Sequence, residues 1–492
     1  MHAVDGTGYA PYDEGVRFHR VLVLLLAVGS PALALASGCD AFSAEEANAP
    51  APDASSSDVG TVDAAADVGS PSTVKKVVAG SSHACALFGD GKLKCWGDNG
   101  FGALGLGDDA GRGQAPDTMG GRLPFVDVGS GRKVVDVLPL GNPTAKEDGG
   151  ALQSITCALL DDGAVKCWGY NGYGTLGRGN ALDLGAGPNQ MGDDLQPISL
   201  GGRAVALTGG VFHACAMLEG GAVKCWGYNG YGNLGVGDVR ARGGAPGDMG
   251  SALPTVPLAA PAVSVAAGGH HSCAILSDGR VSCWGYNFYG QLGLGDTRDR
   301  GGVADAGVLA TVDLGGELAT TIACGWYHTC AILASKKVKC WGYNGYGNLG
   351  LGDTVARGTG LTGGGMGAEL PAVDLGAGGA PVAITAFDYA TCVLRDDGTA
   401  KCFGYNADGQ LGINDALNRG MRPNETGDNL PRVGLRSITQ ISMGFRAACA
   451  LTDGVVKCWG TNAQGQLGQG DTVGRGAKPG DMGGLAPVDL GR

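Results

Sequence analysis

Sixteen cysteines in a chain of 492 residues are the first side chains whose type and spacing could do chemistry. Fourteen form seven pairs. Six are C-x9-C, namely Cys85 and Cys95, Cys157 and Cys167, Cys215 and Cys225, Cys273 and Cys283, Cys330 and Cys340, and Cys392 and Cys402, and the last, Cys449 and Cys458, is C-x8-C. Thiols so placed could crosslink, exchange electrons or hold a metal. Metal ligation is disfavoured, because C-x9-C is not zinc spacing and a His-x-Cys nitrogen exists in only four copies, at His83, His213, His271 and His328. Neither a metal nor a cofactor is expected. Crosslinking fits better. Each pair straddles a turn such as Asp453-Gly454 or Glu219-Gly220-Gly221, where glycine accepts the positive φ of a hairpin tip. Partners then face each other across two antiparallel strands at Cα separations of about 4.5–5.5 Å, within a disulfide's reach. Each closed loop of about ten residues would contribute roughly 2–3 kcal/mol.

Other reactive types are less promising. Cys324 is left over and is expected to be a buried thiol. The four histidines share one repeat position, whereas a catalytic group is needed once, so they read as packing or hydrogen-bonding residues. Single aspartates after a Leu-Gly-x-Gly (Asp108, Asp238, Asp296, Asp353, Asp471) are too few for a calcium cage. They are expected to pair with the arginines that follow, Arg112 to Arg475, as loop braces. Lys94, Lys166, Lys224, Lys339, Lys401 and Lys457 precede cysteines and should pack their stems on a nearby aromatic, ammonium outward, in preference to ringing an anion site. Gly363-Gly364-Gly365 lacks the Lys-Ser/Thr of a phosphate loop. With no nucleophile, base and orienter in view, the chain does not read as an enzyme.

The elements that position these residues repeat. The first cysteines of the pairs step by 72, 58, 58, 57, 62 and 57 residues, and residues 213–238, HACAMLEGGAVKCWGYNGYGNLGVGD, can be laid on six other copies. Asn229, Gly232, Leu234 and Gly235 have counterparts in all seven and read as a chain reversal pinned by one leucine. A hairpin cannot bury its own faces, but a ring of sheets buries each against its neighbours. The expected fold is all-β: a seven-bladed β-propeller of four-stranded blades, with an open solenoid as the alternative. HACALFGDGKLKCWGDNGFGALGLGD at 83–108 and its copies resemble the repeat of the regulator of chromosome condensation family. The resemblance implies a seven-bladed propeller, in a family whose members include an exchange factor, a secreted inhibitor and a light receptor, so it leaves function open.

Ahead of the repeats, Arg17 and Arg20 precede an apolar run over 21–36, short for a membrane span and suited to a secretory signal. Asp5, Asp13 and Glu14 sit oddly before it, and translation is expected to start near Val16. Leu35-Ala36-Ser37-Gly38-Cys39 resembles a bacterial lipoprotein cleavage site, which makes Cys39 the expected lipidation site; ordinary cleavage and secretion is the alternative. Residues 1–38 are thus expected to be the signal peptide. Residues 39–74, acidic and rich in Ala, Ser and Pro, should form a disordered tether, with the propeller at 75–492. Net charge is −12 with no basic run, which argues against nucleic acid as a partner.

Recognition is expected where the repeats disagree. The two residues before each His-x-Cys strand vary, and Phe212, His270, Trp326, Tyr327, Asp388, Tyr389, Phe445 and Arg446 are the candidate binding residues, read as side chains projecting from a rim. Gly325-Trp326-Tyr327-His328-Thr329 resembles an interaction-face motif of the family's plant light receptor, with tyrosine in place of an arginine. The loop 141–150 lengthens the same rim. The expected function is a lipid-anchored scaffold of the cell envelope that binds a protein or envelope polymer. The alternative, implied by the resemblance, is nucleotide exchange on a small GTPase.

Overall fold

The computed structural model describes residues 73–142, 152–303, 307–361 and 365–491. The expected signal peptide, Cys39, nearly all of the tether and residues 143–150 of the expected rim loop lie outside them. Seven three-stranded antiparallel sheets follow one another along the chain, each in the order first, second, third strand. They are β1–β3 (Val74–Ala79, His83–Phe88, Leu93–Gly97), β4–β6 (Val134–Asn142, Gln153–Leu160, Val165–Gly169) and β7–β9 (Ala204–Gly209, His213–Leu218, Val223–Gly227). Next come β10–β12 (Ala262–Ala267, His271–Leu276, Val281–Gly285) and β13–β15 (Ala319–Cys324, His328–Leu333, Val338–Gly342). The last two are β16–β18 (Pro381–Phe387, Ala390–Arg395, Ala400–Gly404) and β19–β21 (Ile438–Met443, Ala447–Thr452, Val455–Gly460). β1 therefore begins at Val74, one residue inside the expected tether.

The middle strands are buried along almost their whole length because neighbouring blades cover both faces. That is why HACALF and HTCAIL read as apolar runs without alternation. Opposite each other in register stand Cys85 and Cys95, Cys215 and Cys225, and Cys449 and Cys458. All seven pairs are joined within their own blades, at Cα separations of 4.0–4.1 Å.

The expected fourth strand is reduced to an extended segment with one ladder bond to the third strand. Val126, Ile198, Val256, Val312, Val373, Val433 and Val488 each donate a backbone N–H to Leu93, Val165, Val223, Val281, Val338, Ala400 and Val456. In six of these segments a proline (Pro124, Pro197, Pro254, Pro371, Pro431 or Pro487) stands one or two residues earlier. Where it stands two residues earlier, as Pro124, Pro254, Pro371 and Pro431 do, it removes the donor of the next ladder bond.

Blades are locked by a repeated wedge. The third-strand tryptophan is fully buried and donates its indole N–H into the preceding blade's turn: Trp168 to Ala103, Trp226 to Thr175, Trp284 to Asn233, Trp341 to Gln291 and Trp459 to Gln410. The ring closes in the same way, with no exchanged strand among the described residues. Trp96 donates to Gln466, Phe445 N–H to Gly80, and Val77, Ala79, Ala447 and Val488 share one core between first and last blades. Of the described residues, no helix is long and apolar enough to cross a membrane.

Candidate functional site at the aromatic end of the axis

Two sets of turns meet at one end of the disc, those between first and second strands and those that follow each third strand. Around the axis the first set touches backbone to backbone: Val211 N–H to Gly269, Gly269 N–H to Gly325, Trp326 N–H to Asp388. Glycine is required at this radius. A Cβ on Gly210 would lie 1.9 Å from the Gly268 carbonyl oxygen, and one on Gly268 2.0 Å from that of Gly325.

This crowding corrects the expectation of side chains projecting from a rim. Trp326 is 6% exposed and Asp388 4%. Phe212, His270, Tyr327, Tyr389, Phe445 and Arg446 are half-buried. Blades stand closest together here, so turn side chains fill the channel mouth. The Trp326 indole lies against Gly269 and meets Phe445 edge to face at 5.7 Å. Behind it is an axial void of about 10 Å³, room for little more than one water.

The second set of turns supplies what the sequence reading missed. Tyrosines of the Trp-Gly-Tyr-Asn-Gly-Tyr-Gly stretch link into an arc of touching rings through Tyr170, Tyr173, Tyr228, Tyr231, Tyr286 and Tyr289. It continues through Tyr343, Tyr346 and Tyr405, and its first ring is Phe101. His270, Tyr327 and Tyr389, all expected site residues, lie along its inner edge. The signal was present. These tyrosines are missing from the first copy (Asp98), thin out in the sixth (Tyr405, Asp408) and are absent from the seventh (Thr461, Gln464), so they vary as the rim residues do. Tyr173, Tyr231 and Phe288 are the exposed members.

The arc ends at charges. Arg446 lies over the Tyr405 and Phe445 rings, 4.0 Å from Asp388 and 3.6 Å from Asp408. Burial pushes the Asp388 carboxyl up to about 7, the Arg446 charge opposing it. Burial likewise raises Asp408 and Asp98. It also raises Tyr286 and Tyr343 to about 12, and Tyr389 beyond the usual phenol range.

The remaining reactive groups are committed to structure. His83, His271 and His328 bond through Nε2 to Thr156, Thr329 and Thr391 of the next blade. Those hydroxyls donate to carbonyls, so each histidine is the donor and no hydroxyl is activated. Desolvation lowers these imidazoles to about 4, 3 and 3. The lysines depart from expectation. Five of the six ammonium groups turn inward: Lys94 to the Gly120 and Leu490 carbonyls, Lys166 to Val128 and Gly192, Lys224 to Gly250, Lys339 to Leu314 and Gly367, and Lys401 to Gly427, while Lys457 is half-buried. The five cap the outer segment instead of facing solvent or an axial anion. Arg112, Arg242, Arg300, Arg357, Arg419 and Arg475 each pair with the aspartate four residues before. His271, Cys273 and Cys324 bring donor atoms within 4.8 Å, but the Cys273 sulfur is bonded to Cys283 and burial raises the Cys324 thiol to about 12. That set offers no thiolate to a metal.

Comparison with known proteins follows the same repeats. A family model described as the regulator of chromosome condensation (RCC1) repeat matches residues 74–103, 153–175, 204–233, 262–291, 319–348 and 382–410, and a second of the same description matches 221–275 and 278–332. The chain is similar to the ultraviolet-B receptor UVR8 of Arabidopsis thaliana, 29% identical over 426 residues, covering 82% of this chain and 81% of the receptor. It is 33% identical over 240 residues to the mitochondrial RCC1 domain-containing protein RUG3 of the same plant, covering 47% of this chain and 49% of that protein. Among solved structures, human WBSCR16 superposes with a TM-score of 0.59 at 18% identity, over 81% of this chain and 93% of that one. Prp20p of Saccharomyces cerevisiae gives 0.53 at 19%, over 75% and 80%. At those identities the likeness shows the fold alone.

Proposed function

The chain belongs to the regulator of chromosome condensation repeat family of β-propellers, and on that premise we propose that it is a non-catalytic recognition propeller that captures a protein through its aromatic end. One observation carries this reading: the uninterrupted arc of tyrosines from blade two to blade six, beside Trp326 and Arg446. Tyrosine, tryptophan and arginine are the side chains that dominate binding energy at protein interfaces. Tyrosine also presents large area at little entropic cost. Light reception is not carried over from the receptor relative, because six of the seven tryptophans are wedges or core residues and only Trp326 stands at this end. Nucleotide exchange stays the alternative that the family suggests, with no feature of this site favouring it.

We further propose that the propeller works outside the cytoplasm, held at an envelope membrane by a lipid on Cys39. The signal-like run 21–36, the small residues before Cys39 and seven intrablade cysteine pairs support this. Cys39→Ala should release the chain from membranes or leave its precursor uncleaved; unchanged membrane association would overturn the anchor. The recognition reading is tested by crosslinking in intact cells, identification of the captured protein, and titration of that protein against the full chain. Tyr231→Ala combined with Phe288→Ala should weaken binding at least tenfold with an unchanged unfolding midpoint. Equal affinity of the folded double variant would refute it.

A further inference from the structure

The carboxylates at the aromatic end differ from those elsewhere on the disc. At the hairpin-tip end several acids have a basic partner of their own: Asp90 with Lys92, Glu219 with Arg203, Asp278 with Arg280, Glu317 with Lys337. At the aromatic end Asp388 and Asp408 share one cation described beside them, Arg446. One guanidinium set between two carboxylates leaves a net negative charge once Asp388 is ionised, above about pH 7. Asp388 is 4% exposed, yet neither of its oxygens makes a hydrogen bond of normal geometry, and Asp408 Oδ2 is in the same state. Ionised carboxylates accept only, and leaving such acceptors buried and unmatched is costly. A second group is unmatched at the same place. Trp326 Nε1, in a side chain 6% exposed, has no acceptor and lines the axial void with Asp388.

Resting on the recognition reading above, we propose that this end receives an arginine or lysine side chain of the protein partner at the Asp388 and Asp408 carboxylates. The occupant must be cationic because two carboxyl groups share one guanidinium, and a second cation is what lets both ionise. It enters from the open side, where the Asp408 and Arg446 side chains are 32% and 24% exposed, since the void behind Trp326 is too small for it. A glycan is disfavoured. The Tyr228–Tyr231, Tyr289–Tyr343 and Tyr346–Tyr405 pairs lie at 66°, 70° and 64°, so over most of the arc ring edges cover ring faces, and among the described residues the stacked Tyr286–Phe288 pair is left as the one exposed flat face.

The test uses the full chain and three fluorescein-labelled peptide amides, tri-arginine, tri-citrulline and tri-glutamate, followed by anisotropy. Tri-arginine should bind saturably and tri-citrulline at least tenfold more weakly. Asp388→Asn with Asp408→Asn should weaken tri-arginine at least tenfold. A control of equal net charge at the other end, Asp90→Asn with Asp278→Asn, should stay within twofold of wild type. Asp408→Asn alone, on a part-exposed residue, should give a smaller loss and serves if the double variant does not fold. Equal losses in the two double variants, citrulline binding as well as arginine, or a chito-oligosaccharide binding where tri-arginine does not, would each overturn the proposal. If the aspartate variants keep full affinity for the crosslinked partner while Tyr231→Ala with Phe288→Ala loses it, the basic pocket falls and the recognition face stands. If neither pair matters, both fall.

Discussion

Replacing Asp388 by asparagine isolates the cost of holding a carboxyl at the channel mouth. Asparagine keeps the size, keeps the neutral form that burial favours, and tolerates the φ of +50° at this position. Burial raises the folded carboxyl from 3.8 to about 7, while the unfolded chain returns it to the ordinary value. Between those two values the unfolded state ionises first and the folded state holds the extra proton. The Asp388 contribution to wild-type stability must therefore fall as pH rises from about 4 to 7, and level off above that. Three pH units at about 1.4 kcal/mol each put the full effect near 4 kcal/mol. The buried histidines titrate oppositely, being lowered on folding, so they stabilise the native state as pH rises toward their unfolded value. Wild type and variant share them, and the difference between the two proteins cancels their contribution. Denaturant unfolding at pH 4, 5.5, 7 and 8 should show Asp388→Asn within about 1 kcal/mol of wild type at pH 4 and more stable by about 3–4 kcal/mol at pH 8. A difference that stays constant with pH, or shrinks as pH rises, would refute the reasoning.

Other changes separate packing from recognition. Trp326→Ala should cost about 3–5 kcal/mol in denaturant unfolding, because the ring plugs the channel mouth; a loss under 1 kcal/mol would mean that it packs loosely. Gly210→Ala should lower the thermal midpoint by overpacking worth about 1–3 kcal/mol, since its methyl would meet the Gly268 carbonyl and not a movable side chain. Lys224→Met leaves the Gly250 carbonyl without its 2.8 Å donor and should cost about 1–3 kcal/mol, against about 0.5 kcal/mol or less for exposed Lys92→Met. Peptide mapping of unreduced protein should find Cys215 with Cys225 and Cys449 with Cys458, and Cys324 unmodified; a bond joining different blades would contradict the hairpin register.

Much of this architecture is legible in one dimension because repetition converts local chemistry into a period. A 57–58-residue step, a glycine tip between paired cysteines and an Asn-x-x-Gly-x-Leu-Gly turn are each decided by a few neighbouring residues. Seven copies leave a closed ring as the way to bury every face. The hairpin register, and with it the opposition of Cys215 to Cys225, follows from the turn alone. Other features depend on how the blades meet. The fourth strand shrinks to one bond at Val256 because Pro254 removes a donor that only the edge ladder needs. Lys94 turns inward because carbonyls of its own outer segment and of blade seven converge on its ammonium, at Gly120 and at Leu490, 396 residues away. Equivalent positions acquire different fates for the same reason. Ser81 in blade one bonds the Gly141 carbonyl, whereas Trp326 in blade five has Gly269 beside it and fills the mouth. Tyr231 and Tyr286, 55 residues apart, become one surface only when the ring curves their turns together. Local spacing thus determines each blade, while the convergence of seven turns on one axis, which no single repeat encodes, decides what is buried and what is left to bind.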